Sequence, residues 1–472
     1  MVTRTREIAR LQTPVLIRLM RYTLRLLPLF IATTAAAAAQ QPVRSPLDAL
    51  VTEGLAANPA LRARTLAVAR DDAAIAEARG RFLPSLTANA RASSLSGATQ
   101  NLGALINPAY AALNQLLGQS TFPTNISLTL PQKQEATVRL AQPIFEIRVL
   151  ERYRIARSLR AATLAERDAQ RRQLASDIQL SYLQYARASR AAELYDGTVP
   201  LLDETVRVSE RLLSAGKVTP DNVLRARAEQ SAVIQQRDAA HQLAIAARQQ
   251  LNYLTGRQLD APLALFADSA LAFDVRFAAR EDLAVAQAKA QGSREELAQI
   301  DRSIDAVDGQ RRLARAAFLP SVNLAVDYGF QGNTIRIDRN RDFAVASLVL
   351  SWNLFNGGQD RARVQQAILD AAQLQARRED ATRSIDLQVR VAHDAAAVAR
   401  TAIATSTDRL SAASRTFELV QRRFSEGLAS QLELLDARTA LTTAQLNRLI
   451  TTYDFYQRVV EFERAAALSS LE

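Results

Sequence analysis

Side chains able to do covalent or metal chemistry are scarce in this chain. Its 472 residues include no Cys and two His, which leaves no disulfide, no thiolate metal site and no thiol nucleophile. His241 and His393 each fall in a helical pattern with no acidic cluster beside them, and read as solvated or core-edge positions. There is no Gly-rich phosphate loop and no metal-spaced His pair, so neither a cofactor nor an enzyme is implied. The candidate chemistry is electrostatic: Glu433 and Asp436 stand three apart and share one face of a predicted helix.

The stretch that positions these carboxylates is residues 422–438, RRFSEGLASQLELLDAR, and it has a twin at 211–227, RLLSAGKVTPDNVLRAR. Arg, Ser, Gly, Leu, Ala and Arg recur in register at an offset of 211. In each copy a long amphipathic pattern is interrupted by a Gly and followed by Thr219 or Ser430. Gly ends a helix in the left-handed conformation, and Thr or Ser caps the next. Both copies predict tight turns between antiparallel helices.

The duplication extends further. Arg81-Phe82-Leu83-Pro84-Ser85-Leu86 is answered by Ala317-Phe318-Leu319-Pro320-Ser321-Val322, and Leu140 to Phe145 by Leu350 to Phe355. The offsets, 236 and 210, place about 26 extra residues between Pro84 and Leu140. Each half predicts helix, short strand, loop, short strand, long helix, turn, long helix. Strands are expected at about 86–93, 135–144, 322–330 and 343–352, where apolar and polar residues alternate. Val322, Leu324, Val326, Tyr328 and Phe330 share a face in the clearest of them. A polar insertion over 95–134 carries a weakly helical piece at about 110–117. A continuous Ala-rich helix is expected over 47–80 and another over 281–317, while Gly197 and Pro200 should break or bend the long helix that follows Phe145. Residues 255–277 lose periodicity and bridge the halves. At about 1.5 Å per residue the long arms reach on the order of 50–100 Å.

The net charge is +11, but residues 1–39 hold six Arg against Glu7, leaving +6 for the remainder. Arg alternates with acids along helices, which predicts a solvated surface and no nucleic-acid patch. Arg21 and Arg25, an apolar core at 26–31 and small residues at 35–39 form a secretory signal peptide pattern, with the cut placed after Ala39. Met20 would start a compact signal by itself. No apolar run reaches the roughly 20 residues of a membrane-spanning helix. Four strands with one apolar face cannot close alone, so each chain should donate them to an oligomeric barrel. Tyr328, Phe330, Phe343 and Trp352 near strand ends fit a bilayer wall.

These features resemble the TolC family of outer-membrane efflux proteins. The resemblance is carried by the paired Phe-Leu-Pro-Ser segments, Gln142-Pro143-Ile144-Phe145, Trp352-Asn353-Leu354-Phe355-Asn356-Gly357-Gly358 and the two Gly turns, across about 45–465. It implies a mostly α fold with a membrane β part: a homotrimer with a twelve-stranded outer-membrane barrel, four strands per chain, above a periplasmic tunnel of twelve helices. By this resemblance the domains are a signal peptide at 1–39, repeats at 40–254 and 278–472, and an equatorial linker at 255–277.

The implied activity is a passive exit duct for small molecules in the outer membrane of a Gram-negative bacterium. It would stand in outer-membrane lipid and meet a periplasmic adaptor and an inner-membrane pump. The turns at 211–223 and 422–434 would form the periplasmic entrance. Leu213, Ser214, Gly216, Phe424, Ser425 and Gly427 would meet the adaptor, and Glu433 and Asp436 would become stacked rings of three carboxylates that admit cations. The family's entrance latch, a Tyr and an Arg bonded to an acid, is replaced by Phe424, Ala429 and Asn222. Closure should then rest on packing. Val322, Leu324, Val326, Tyr328, Phe330 and Trp352 would face lipid. The alternatives are a duct for exported proteins or heavy metals and, in a different class, a secreted periplasmic coiled-coil scaffold, which leaves the four recurring strands unexplained.

Overall fold

The computed structural model describes residues 46–94, 100–126, 129–130, 134–278, 280, 282–332 and 342–468. The expected signal peptide, and most of the loop between the last two strands, lie outside the described residues.

The first repeat begins with helices α1 (Pro46–Ala57) and α2 (Pro59–Gly80), where the sequence suggested one helix. Asn58 makes the break. Its side-chain oxygen accepts from the Ala60 and Leu61 backbone N–H groups, and Pro59 takes the first helical position, a combination that starts helices. The chain then passes through β1 (Ser85–Ala92), a small ribbon of β2 (Gln100–Asn101) and β3 (Thr129–Leu130) flanking α3 (Gly103–Leu117), and β4 (Gln134–Phe145). The hairpin of α4 (Ile147–Ser214) and α5 (Pro220–Thr255) follows.

Short helices α6 (Asp268–Leu271) and α7 (Phe273–Ala278) lie in the linker. The second repeat holds α8 (Leu283–Ser293), α9 (Glu295–Arg315), β5 (Ser321–Gly332), β6 (Asp342–Ser351), α10 (Gln359–Ser425) and α11 (Gln431–Ala465). The single helix expected over 281–317 is interrupted at Arg294, whose backbone is extended. That buried guanidinium donates to the Ala465 carbonyl at 2.9 Å and to Glu296. This tertiary bond, next to the weak helix formers Gly292 and Ser293, marks the junction.

α4 runs through Gly197 and Pro200 without a break over 68 residues, about 100 Å, so of the expected break or bend the break does not occur. Just beyond the proline Leu202 is fully buried against Val233 and Leu435, with Tyr195 and Val199 at the edge of the same cluster. Coiled packing on both sides of the proline outweighs the one hydrogen bond it removes.

The four long strands form one antiparallel sheet in the order β1-β4-β5-β6. Register aligns Leu86 with Leu140, Leu140 with Val326, and Val326 with Ala346, so one face carries Leu86, Ala88, Ala90, Val138, Leu140, Val322, Leu324, Val326, Tyr328, Phe330, Leu348 and Leu350. The other face carries directly opposed charges: Arg91 with Glu135 at 2.9 Å and Arg139 with Asp327 at 2.6 Å. Gly329 sits where a Cβ would lie 2.5 Å from the Ala136 carbonyl, so the β4–β5 approach there requires glycine.

The repeats attach their strands to their helices in the same way. Gln142 Nε2 donates to the Phe82 carbonyl at 2.8 Å, and at the twin position Trp352 Nε1 donates to the Phe318 carbonyl at 3.0 Å. Ser85 and Ser321 both reach the carbonyl across the ladder, at Ala141 and Ser351. Trp352, expected within the last strand, stands one residue past β6 with its indole in this clamp.

The main hydrophobic core lies at mid-length of the long helices, where the linker threads between them. Tyr182, Phe273, Phe277, Tyr453, Phe455 and Phe462 are buried together. The linker has little regular structure, yet tyrosines hold it closely. Tyr453 donates to Asp268 at 2.8 Å, Tyr185 donates to the Leu263 carbonyl, and Tyr182 accepts from Phe266 N–H. Burial pushes the Tyr456 hydroxyl up to about 12 and Tyr453 further, so both stay protonated. Glu463, almost wholly buried, is paired with Arg276 and Arg280.

Candidate functional site

The two helix turns stand side by side at the end of the long helices remote from the sheet. Each is closed by the same backbone motif. At the first, Gly216 has φ 69°, its N–H donates to the Leu213 carbonyl, and Lys217 N–H donates to the Leu212 carbonyl, both at 2.9 Å. At the second, Gly427 has φ 75°, with Gly427 N–H to Phe424 at 3.0 Å and Leu428 N–H to Arg423 at 2.7 Å. Paired bonds of this pattern around a left-handed glycine satisfy the last carbonyls of a helix. Ser214 and Ser425 each donate to the carbonyl three residues back, at Arg211 and Arg422. Ser214, Gly216, Ser425 and Gly427 are exposed, and Leu213 and Phe424 are half-buried.

The returning helices start differently. Ser430 forms a full capping box, its hydroxyl accepting from Glu433 N–H at 3.2 Å while the Glu433 carboxylate reaches back to Ser430. Thr219 occupies the matching position without capping the backbone. Its hydroxyl donates to Asp221 and accepts from Asn222 Nδ2, and Pro220 supplies the first helical residue. The expectation of a hydroxyl cap at both turns is therefore corrected at the first, because the nearby Asp221 captures the hydroxyl.

Glu433 and Asp436 are both exposed on α11, on the side away from buried Gln431 and Leu435. Asn222 and Ala429 are half-buried, and neither side chain bridges the turns. The bridge comes from residues the sequence reading did not single out. Gln431 Nε2 donates to Ser209 Oγ at 2.5 Å and to the Asn222 carbonyl at 3.3 Å, and both side chains are buried. Behind them Leu435 packs on Leu202 and Val233, and Thr439 donates to Glu229 at 2.9 Å. The spacing Leu202, Val206, Ser209 along one helix face was the available signal.

A second unanticipated pair concerns twin arginines. Arg227 binds Glu210 of α4 at 2.6 Å. Arg438, its counterpart 211 residues on, finds Gln421 where the acid would be, and stacks over the Phe417 ring at 5.2 Å. Its Nε is buried without a hydrogen-bond partner, and burial lowers its proton affinity. The two histidines, read as lacking an acidic cluster, each lie beside a single carboxylate, one from another helix and one from the next residue. His241 Nε2 lies 3.0 Å from Asp196 and His393 Nδ1 3.1 Å from Asp394. Among the described residues no cluster of His, Asp and Glu could hold a metal ion.

Comparison with known proteins agrees with this architecture. No curated protein matches the sequence. Solved structures share the fold at low sequence identity. A membrane protein from Pseudomonas aeruginosa is 19% identical, with 90% of this chain and 93% of that one aligned at a TM-score of 0.74. The outer membrane protein VceC from Vibrio cholerae is 17% identical, covering 90% and 97% at 0.71. The MtrE outer membrane channel of Neisseria gonorrhoeae in its open state is 19% identical, covering 89% and 88% at 0.67. The family model for outer membrane efflux proteins matches residues 50–257 and 285–467, one segment in each repeat and the linker between them left out. The chain belongs to the outer membrane efflux protein family.

Proposed function

We propose that three copies of this chain close into a passive exit duct, their sheets forming a twelve-stranded barrel in the outer membrane and their long helices a periplasmic tunnel. The observation that carries this is the sheet. It has two unpaired edges, β1 and β6, one face almost wholly apolar and the other bearing opposed ion pairs. Unpaired edges in a bilayer leave backbone groups without partners, so such a sheet needs neighbours on both sides. Four strands are too few to enclose a lumen, since even eight fill with side chains. Val322, Leu324, Val326, Tyr328 and Phe330 would then face lipid, and Arg139 and Asp327 the aqueous bore. Trp352 would sit just below the wall.

The hairpin turns would form the periplasmic mouth, with Leu213, Ser214, Gly216, Phe424, Ser425 and Gly427 as the surface presented to a periplasmic adaptor that links the duct to an inner-membrane pump. Glu433 and Asp436, exposed on one helix face, would become two rings of three carboxylates and favour cations. Gln431 supplies a hydrogen bond between the turns of one chain, beside the packing on which closure of the mouth would rest.

The test is the native mass of the protein extracted in detergent from the outer-membrane fraction, before and after boiling. A trimer-sized species that falls to a single-chain band is expected; a detergent-independent monomer or dimer in the periplasmic fraction would overturn the reading. In planar bilayers, Glu433→Gln with Asp436→Asn should lower cation selectivity and weaken block by polycations. Unchanged selectivity would remove the carboxylates from the pore.

A further inference from the structure

The insertion that distinguishes the first repeat joins β1 to β4 at the end of the sheet opposite the long helices. Residues 92–132 contain no Asp, Glu, Lys or Arg, although charged residues make up 23% of the chain. Within them α3 is amphipathic in an unusual sense. Its inward side is bonded to the chain's own return segment. Asn107 Nδ2 donates to the Ile126 carbonyl and Asn107 Oδ1 accepts from Ile126 N–H, both at 2.9 Å. Two turns on, Asn114 repeats the arrangement with Phe122, at 2.7 and 2.8 Å. Tyr110 lies against the Phe122 ring between them.

These pairs satisfy both backbone groups of Phe122 and Ile126 and both ends of each amide. The opposite side of α3 presents Leu105, Ala109, Leu113 and Leu116, with Ile106 and Leu117 on its flank; Leu105 is 76% and Leu116 83% exposed.

We propose that this apolar side of α3 lies in the membrane interface, embedded among the acyl chains of the outer leaflet around the barrel. At 15 residues the helix is about 22 Å long, too short to cross a hydrocarbon core of about 30 Å, so it lies along the surface and does not span. Its internally satisfied amides are what an element entering hydrocarbon requires, since no water there would bond them. The missing charges remove the penalty that a single Arg or Asp would impose at that depth. The insertion leaves the sheet at the end of β1 and returns at the start of β4, so α3 is tethered to the outer end of the proposed membrane wall. A second copy of α3 across the barrel mouth would meet the same apolar side, but it would place a dry plug in the outlet of a duct. This inference rests on the reading of the sheet as membrane wall.

The absence of cysteine permits a clean test in the full-length protein. Single variants Leu116→Cys on α3, Leu348→Cys on the sheet and Ser425→Cys at a turn are labelled with an environment-sensitive fluorophore. The protein is then reconstituted in phosphatidylethanolamine–phosphatidylglycerol vesicles carrying doxyl-labelled acyl chains. The expected result is loss of most fluorescence at Leu116→Cys and Leu348→Cys and none at Ser425→Cys. Quenching at Leu348→Cys alone, with the α3 label quenched by aqueous iodide, overturns the α3 inference and leaves the barrel reading intact. Failure at Leu348→Cys itself overturns both. A disulfide-linked dimer of unlabelled Leu116→Cys would assign the apolar side to a second copy and likewise overturn the proposal.

Discussion

The two hairpin turns began as copies and now differ in instructive ways. Both keep the glycine, the serine two residues before it and the paired backbone bonds that close the helix. Beyond that serine, their side-chain contacts differ. The first turn starts its return with a proline and pairs Arg227 with Glu210, while the second uses a capping box and leaves Arg438 stacked on Phe417. The first turn is self-contained in its charges. The second reaches across to the first through Gln431 and Leu435. Backbone requirements were kept in both copies, and the side chains diverged where two unlike neighbours had to meet.

Amide hydrogen exchange of the full-length protein, which reads local opening, can break or sharpen this comparison. The largest effect is expected from Leu435→Ala, a loss of about 2–4 kcal/mol where a buried leucine leaves a cavity. It should loosen both turns together, since Leu435 is shared; loosening of the second alone would show the turns to be independent. Gly216→Ala and Gly427→Ala should each cost about 1 kcal/mol and cost the same. Both have positive φ with open space where a Cβ would go, so only backbone strain is added. Unequal costs would mean that one turn carries a constraint the other lacks.

Ser430→Ala should cost about 1 kcal/mol through loss of the capping box, and Thr219→Ala almost nothing, because Thr219 caps no backbone group. Equal costs would restore the equivalence that the structure denies. Gln421→Glu should give Arg438 the partner that Arg227 has, a gain of up to about 0.5 kcal/mol; a loss would mean that the stack on Phe417 depends on an unpaired cation.

The smallest effect expected lies away from the turns and serves as their control. Glu53 on α1 is held below the usual carboxylate range by its hydrogen bonds to Arg257. A carboxyl depressed on folding stabilises above its unfolded value and loses that contribution as pH falls through the folded value. Acidification below about pH 4 should therefore loosen α1 from the linker slightly, the pair being partly exposed.

Much of this was legible in the residues. Repeated Phe-Leu-Pro-Ser segments, alternation along β5 and the two glycine turns state the order of elements, because strand and helix periods and left-handed glycines are local properties. The site was only partly legible. Glu433 and Asp436 could be placed on one exposed helix face, but Gln431 and Ser209, 222 residues apart, carry no mutual signal in sequence. The expected break at Pro200 failed for a related reason. Local propensity argued for it, and packing of Leu202 against two other helices overrode it.

The sequence by itself determined the duplication, the number and alternation of the long strands and the glycine turns, all consequences of backbone stereochemistry and periodic burial. Only the tertiary structure decided which strands pair as β1-β4-β5-β6, that β1 and β6 remain edges, that Arg294 reaches Ala465 where a helix divides, that tyrosines clamp the linker, and that α3 turns its amides inward and its leucines out. Those outcomes depend on groups far apart in the chain meeting at hydrogen-bonding distance, and no local pattern encodes such meetings.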